Sequence, residues 1–182
     1  LFKILGERPV TVTSMAFQLR GEVAATVAAC ATGNHNIIDA TRSVLCRDTE
    51  IMFAGGSEAP IGRVEFSAFT QLKALSTRNE DFERASCPFD KKESGFVMGE
   101  GAAVIVLETL DHALARGVTP KAEIVGYGAS ADAYHIIHPA IGGEGAVRAM
   151  RAALRKAGYS PDGIDYVNAH GTSTWLGDKA ET

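Results

Sequence analysis

The sequence has few cysteines, no strong charge of either sign and no long apolar run, and each shortage narrows what the protein does. Three cysteines, Cys30, Cys46 and Cys87, occur without a Cys-x-x-Cys spacing. An odd count without that spacing argues against a disulfide framework and against a structural zinc site, so the expected compartment is reducing and at least one thiol is free. The net charge of −4, with basic residues scattered along the chain, points away from nucleic acid or an anionic membrane as partner. No apolar stretch has the length of a bilayer span. The opening Leu1-Phe2-Lys3-Ile4 is not a signal peptide, because no apolar h-region or cleavage site follows it. Internal repeats and low-complexity tracts are also lacking. Neither terminus carries Met, a cap or a polar tail, so the chain reads as a fragment.

What is present is ordinary for a soluble domain. The 182 residues, 46% hydrophobic and 22% charged, suffice for one domain with a core. The 19 glycines fall mostly at joints, which suits alternating strands and helices with tight connections. Buried strands are expected at 23–29, 51–54 (ended by Gly55-Gly56), 102–107, 122–127 and 164–168, all short apolar runs. Helices are expected after Cys30, at 64–72, at 110–116 closed by Gly117, and at 145–156 stopped by Gly158. The stretch from Ser57 to Gly101 is irregular, and the chain ends in what reads as a first helical turn. This alternation implies an α/β fold, in which ligands collect at the carboxyl ends of strands.

Cys30 is the most informative residue. An apolar strand runs into it, and Ala31-Thr32-Gly33 opens a helix. The helix dipole and its unpaired N–H groups favour thiolate over thiol, and the same groups can stabilise an oxyanion. By position alone Cys30 reads either as such a nucleophile or as a small apolar core residue. Cys46 and Cys87 do not follow a buried strand into a helix start and read as structural.

Around this cysteine the segment Ala29-Cys30-Ala31-Thr32-Gly33 resembles the active-site signature of condensing enzymes of the thiolase superfamily. Further segments agree in order: Phe53-Ala54-Gly55-Gly56-Ser57-Glu58, Ala74-Leu75-Ser76-Thr77-Arg78-Asn79, Pro88-Phe89-Asp90, Gly95-Phe96-Val97-Met98-Gly99-Glu100-Gly101, and Glu123-Ile124-Val125-Gly126-Tyr127-Gly128. Asn168-Ala169-His170-Gly171-Thr172-Ser173-Thr174 is similar to the family's first catalytic-histidine motif, at the expected distance from Cys30. A single pentapeptide is weak, but seven segments in the right order are not a chance match. The resemblance runs from about residue 21 to the end, and it is to β-ketoacyl-acyl-carrier-protein synthases of the elongating type.

That resemblance implies an α/β fold with the layered αβαβα thiolase-like architecture, of which only the central part is present. Residues 1–110 would close the N-terminal half and 111–182 would open the C-terminal half. Cys30 would accept an acyl chain from acyl carrier protein. His170 would stabilise the enolate oxygen formed when malonyl carrier protein loses CO2. Thr172 and Thr174 would hydrogen-bond the phosphopantetheine arm, with helix capping as their alternative role. Asp132 and His135 would lie near the pantetheine tunnel or form a solvated loop pair. His35 and His138 read as structural. No metal or organic cofactor is implied, since phosphopantetheine arrives on the partner, and the full-length enzyme would be a homodimer. The setting would be the bacterial cytoplasm, or a mitochondrion or plastid.

Three departures stand out. Family members are roughly twice this long, and their second catalytic histidine, its upstream lysine and a Gly-Phe-Gly-Gly gate have no counterpart here, so the isolated chain is expected to condense poorly. The region from Thr13 to Glu22 is shorter than the family's. Trp175 stands where a proline usually follows the Thr-Ser-Thr run. Two other readings compete: a polyketide ketosynthase module, disfavoured by Ala31-Thr32-Gly33 in place of a serine-rich turn, and an inactive partner subunit, disfavoured by the retained Cys30 and His170.

Overall fold

The computed structural model describes residues 6–182, so the Leu1–Ile4 stretch considered above lies outside the described residues. The chain divides into two units, Leu1–Glu58 with Gly101–Ile124, and Ala59–Glu100 with Val125–Thr182. Among the described residues no helix is long and apolar enough to cross a membrane.

In the first unit α1 (Arg8–Phe17) carries proline in its first turn and closes on Gln18 in the left-handed region. Proline is tolerated there because the first N–H groups of a helix lack intrahelical partners anyway. Phe17 meets Phe53 edge-on, with ring centroids 5.8 Å apart. Helix α2 (Thr32–Leu45) buries Ile38, Ala40, Thr41 and Val44. Those positions recur at helical spacing, and full burial of an Ile or Val side chain stabilises by about 1.5–3 kcal/mol. Cys46 caps this helix.

Strand β1 (Ile51–Glu58) pairs antiparallel with β2 (Gly101–Glu108), Ile51 opposite Glu108 and Glu58 opposite Gly101. Gly55 and Gly56 do not end β1 as expected. The strand runs through them because the ladder with β2 continues, and a Cβ on Gly55 would lie 2.0 Å from the Ala103 carbonyl oxygen. Burial of β2 also departs from expectation. Val104, Ile105 and Val106 are 57%, 42% and 48% exposed. Successive residues of a strand point to opposite faces, so both faces of β2 are open within this unit. The short helix α4 (Leu110–Ala115) is capped by the Thr109 hydroxyl, which accepts the His112 N–H. It stops at Gly117, whose φ is +74°.

Three expected strands are not laddered among the described residues. Segments 23–28, 122–127 and 164–168 lie outside both paired strands and outside every helix. Val27 is 85% exposed and Tyr166 78%. An apolar run favours an extended chain, but a strand also needs a neighbour for its N–H and C=O groups, and sequence pattern does not supply one.

The second unit holds α3 (Arg63–Gln71), α5 (Glu144–Ala157) and α6 (Trp175–Glu181). Leu75 and Phe96 form an isolated parallel bridge, and the Phe96 ring meets Phe69 edge-on at 5.3 Å. Helix α5 is framed by left-handed glycines, Gly143 and Gly158, and Lys156 Nζ sits 3.5 Å from the Tyr127 ring centroid. The deepest point of this unit is polar. Ser173 is wholly buried and Asp178 nearly so. Asp178 accepts the N–H of Phe89 at 2.6 Å and of Ser173 at 3.1 Å. Ser173 Oγ accepts the Cys87 N–H at 3.1 Å, and its carbonyl accepts the Gly95 N–H at 2.8 Å. Every buried side-chain N or O of the described residues finds a partner, which is what keeps such a polar centre from destabilising the fold.

Candidate active site

Segment 23–28, neither laddered nor helical, enters a 3-10 turn, Ala29–Ala31, that leads directly into α2. Cys30 lies in this turn and is exposed. The expected strand-to-helix junction is thus only half present: a tight turn and a helix follow, but the segment before them is not a strand. Ala29 has φ +46°, a conformation that costs an L-residue about 1–2 kcal/mol. Strain of this kind persists only where the surroundings fix it, and it collects at functional turns.

Here the surroundings are side chains of α2. Thr32 Oγ1 accepts the Ala28 N–H at 2.8 Å. Asn36 Oδ1 accepts the Thr26 N–H at 3.4 Å, while Asn36 Nδ2 donates to the Gly55 carbonyl at 2.9 Å. The Thr26 hydroxyl donates to Asp39 at 3.1 Å, and Asp39 is also paired with Arg42 at 2.9 Å. Sequence reasoning found the cysteine and missed this row. Thr32, Asn36 and Asp39 recur at helical spacing, and that polar periodicity was the available signal.

His170, in the second unit, is exposed. Its main-chain N–H donates to Glu181 Oε1 at 2.7 Å, and the Gly171 N–H donates to Glu181 Oε2 at 2.7 Å. Glu181, at the end of α6, was also missed, because nothing in a motif read from 168 to 174 points eleven residues ahead. Thr172 and Thr174 come together, their hydroxyls 2.8 Å apart. Neither caps α6, for the N-cap Thr174 makes no side-chain cap bond. Gly177 fits beneath them; a Cβ there would lie 2.6 Å from Thr174 Oγ1 and 3.0 Å from Thr172 Oγ1. Trp175 is 62% exposed, and Lys179 Nζ lies 4.9 Å from its ring centroid.

Asp132 and His135 do not hydrogen-bond each other in the structure. Asp132 Oδ2 accepts the Ala140 N–H at 2.8 Å. His135 Nδ1 accepts the N–H groups of Ile137 and His138 at 3.1 and 3.0 Å, and its ring stacks on that of His138 at 4.3 Å. Accepting both bonds requires an unprotonated Nδ1. Cys46 is exposed and Cys87 half-buried, the latter 3.4 Å from an Arg78 guanidinium nitrogen. Among the described residues no group of three His, Cys, Asp or Glu side chains is placed to hold a metal ion.

The chain matches two family profiles, "Beta-ketoacyl synthase, N-terminal domain" over residues 10–113 and "Beta-ketoacyl synthase, C-terminal domain" over residues 121–182. It is 51% identical over 162 residues to the 3-oxoacyl-[acyl-carrier-protein] synthase 2 of Rhizobium meliloti (strain 1021), covering 88% of this chain and 38% of that protein. It is 50% identical over 169 residues to the mitochondrial 3-oxoacyl-[acyl-carrier-protein] synthase of Arabidopsis thaliana, covering 92% of this chain and 37% of that protein. Among solved structures, a type II PKS acyl-carrier protein in complex with its ketosynthase bound to the hexaketide includes a chain that superposes with a TM-score of 0.91 at 34% identity. That match covers 94% of this chain and 42% of the other. The chain thus spans less than two fifths of the length of these two curated relatives.

Proposed function

The chain belongs to the β-ketoacyl synthase family, and from that premise we propose that the protein carrying it elongates acyl chains by decarboxylating Claisen condensation. Its fold is the thiolase-like α/β fold of ketosynthases, with residues 1–110 belonging to the first half of that architecture and 111–182 to the second. The observation that carries the reading is the exposed Cys30 in a strained turn that opens α2.

In the proposed reaction the Cys30 thiolate attacks the thioester carbonyl of an acyl carrier protein. The carbon–sulfur bond to the phosphopantetheine arm breaks, and that arm leaves as a thiol after taking up a proton. A malonyl carrier protein then loses CO2, and the electrons of the broken carbon–carbon bond form an enolate. His170 donates a hydrogen bond to the enolate oxygen, where negative charge develops. The enolate carbon attacks the acyl-Cys30 thioester, and Cys30 leaves again as thiolate. The paired hydroxyls of Thr172 and Thr174 suit the amides of the pantetheine arm, being donors and acceptors at once. Asp132 and His135 are proposed to lie near the pantetheine tunnel.

No metal or organic cofactor is needed for this sequence of steps. Acyl carrier protein is the proposed partner, and the whole enzyme is proposed to be a homodimer. The proposed compartment is the bacterial cytoplasm, with a mitochondrion or plastid as the alternative; the Arabidopsis relative is named as mitochondrial. A second reading, a polyketide ketosynthase, draws on the 34% identical ketosynthase structure and ranks lower because the fatty-acid-type relatives reach 50% and 51% identity.

The test is acyl transfer followed by intact and peptide mass measurement. Incubation with acyl-loaded carrier protein is expected to add one acyl group to the Cys30 peptide and none in Cys30→Ala. Acylation of the Cys46 or Cys87 peptide in place of Cys30 would overturn the proposal.

A further inference from the structure

Segment 23–28 carries Cys30 into α2, yet it pairs with no strand among the described residues. What fixes it is one polar face of α2. Thr32, Asn36 and Asp39 stand at successive turns and take up the Ala28 N–H, the Thr26 N–H and the Thr26 hydroxyl. Asn36 differs from the other two in reaching a second element. Its Nδ2 donates to the carbonyl of Gly55 in β1, and β1 is itself held by its ladder with β2. A primary amide offers a donor and an acceptor in one rigid plane, which neither a carboxylate nor a hydroxyl at that reach can do.

We propose that Asn36 is a positioning residue for Cys30, tying the segment that enters the cysteine turn to the β1 ladder and so fixing where the sulfur stands at the mouth of α2. The proposal rests on the reading of Cys30 as the acylated nucleophile and adds to it the group that aims it. The backbone gives the reason such a group is needed. Ala29 stands at φ +46° immediately before Cys30, and a left-handed alanine relaxes unless the surrounding structure holds it. Both restraints act on the chain before Ala29, Thr32 holding the nearer residue Ala28 and Asn36 the farther residue Thr26, while α2 itself holds the chain that follows. Loss of the far restraint lets the turn relax and moves the sulfur off the reaction line, and misplacement by about 1 Å costs as much as ~100-fold in rate.

The experiment compares the parent chain with Asn36→Asp, which keeps the acceptor for Thr26 and loses the donor to Gly55, and with Asn36→Leu, which loses both. Two readouts are taken on each protein. One is the rate of Cys30 acylation by an acyl N-acetylcysteamine thioester over a concentration series. The other is the ratio of Cys30 to Cys46 alkylation by iodoacetamide, in which Cys46, at the far end of the same helix, reports general loosening. Expected in Asn36→Leu is a fall in acylation kcat of ~tenfold or more, with KM little changed, a changed Cys30-to-Cys46 ratio and an unchanged Cys46 rate. Asn36→Asp should fall between parent and Asn36→Leu. An acylation kcat in Asn36→Leu equal to the parent's, or Cys30 and Cys46 rates that change in parallel, would overturn the proposal. If the parent Cys30 takes no acyl group at all, the nucleophile reading fails, and the alkylation ratio alone then decides whether Asn36 positions the sulfur.

Discussion

Glu181 grips the main chain of His170. One carboxylate oxygen accepts the His170 N–H and the other the N–H of Gly171, each at 2.7 Å. The arrangement is that of a carboxylate bridging two consecutive amides, and hydrogen bonds to a charged group are worth about 1.5–3 kcal/mol. Glu181→Ala is therefore expected to speed amide hydrogen exchange at His170 and Gly171 by ~tenfold or more, with Glu181→Gln keeping protection at one of the two. Assigned NMR exchange rates check this. Unchanged exchange at both amides would mean that the clasp does not hold in solution.

Ala29 offers a second prediction. Its left-handed backbone strains an alanine but not a glycine, while glycine loses more freedom on folding. The balance gives Ala29→Gly a gain in unfolding free energy of up to about 1 kcal/mol, and Ala29→Val a loss of more than about 1 kcal/mol. Denaturant unfolding measures both. A clear loss of stability in Ala29→Gly would show that the methyl group, and not the backbone, matters at this position.

Glu93 makes stability fall as pH rises. Burial raises the Glu93 carboxyl above its ordinary 4.5, assisted by its hydrogen bond to Asp178 and by the negative charges of Asp178 and Asp90. The folded state prefers the protonated acid, so its contribution is complete below pH 4.5 and is lost as pH rises through the raised value. Glu93→Gln keeps a donor and removes the charge. It should raise the melting temperature at pH 7 and match the parent below pH 4.5, as read from melting curves at the two pH values.

Glu108 acts in the opposite sense. Hydrogen bonds from Arg116 and then His112 lower its carboxyl to about 2, with Arg116 nitrogens at 2.9 and 2.5 Å and His112 Nδ1 at 2.6 Å. The stabilisation is present above pH 4.5 and is lost as pH falls from there through about 2. Glu108→Gln should melt below the parent at pH 7, and the gap should close across that interval. A gap that persists at the acid end would assign the effect to packing and not to charge.

Helices α2 to α6 and the two strands β1 and β2, though not their pairing, were legible because their signals are local, whereas α1 was not anticipated. The apolar spacing of Ile38, Thr41 and Val44 in α2, and Gly117 and Gly158 past the ends of α4 and α5, are decided within a few residues of chain. The unladdered segments at 23–28, 122–127 and 164–168 were not legible, since an apolar run says nothing about which neighbour it meets. The motifs marked Cys30 and His170 as candidate residues. The groups that brace each of them left less trace. Asn36 and Glu181 both bond to main-chain atoms ten or more residues away, and such a partner leaves no mark of its own, so only the polar spacing of Thr32, Asn36 and Asp39 hinted at the first and nothing at the second.

The run Thr172-Ser173-Thr174 places its middle hydroxyl in the wholly buried polar centre and its two outer hydroxyls against each other. Its arrangement thus depends on phase as much as on composition. Inserting or deleting one residue between Gly171 and Trp175 would send a threonine, with its extra methyl group, into a cavity shaped for serine and would break up the outer pair. Conservative exchanges within the run are the tolerable kind of change, and changes of length are not.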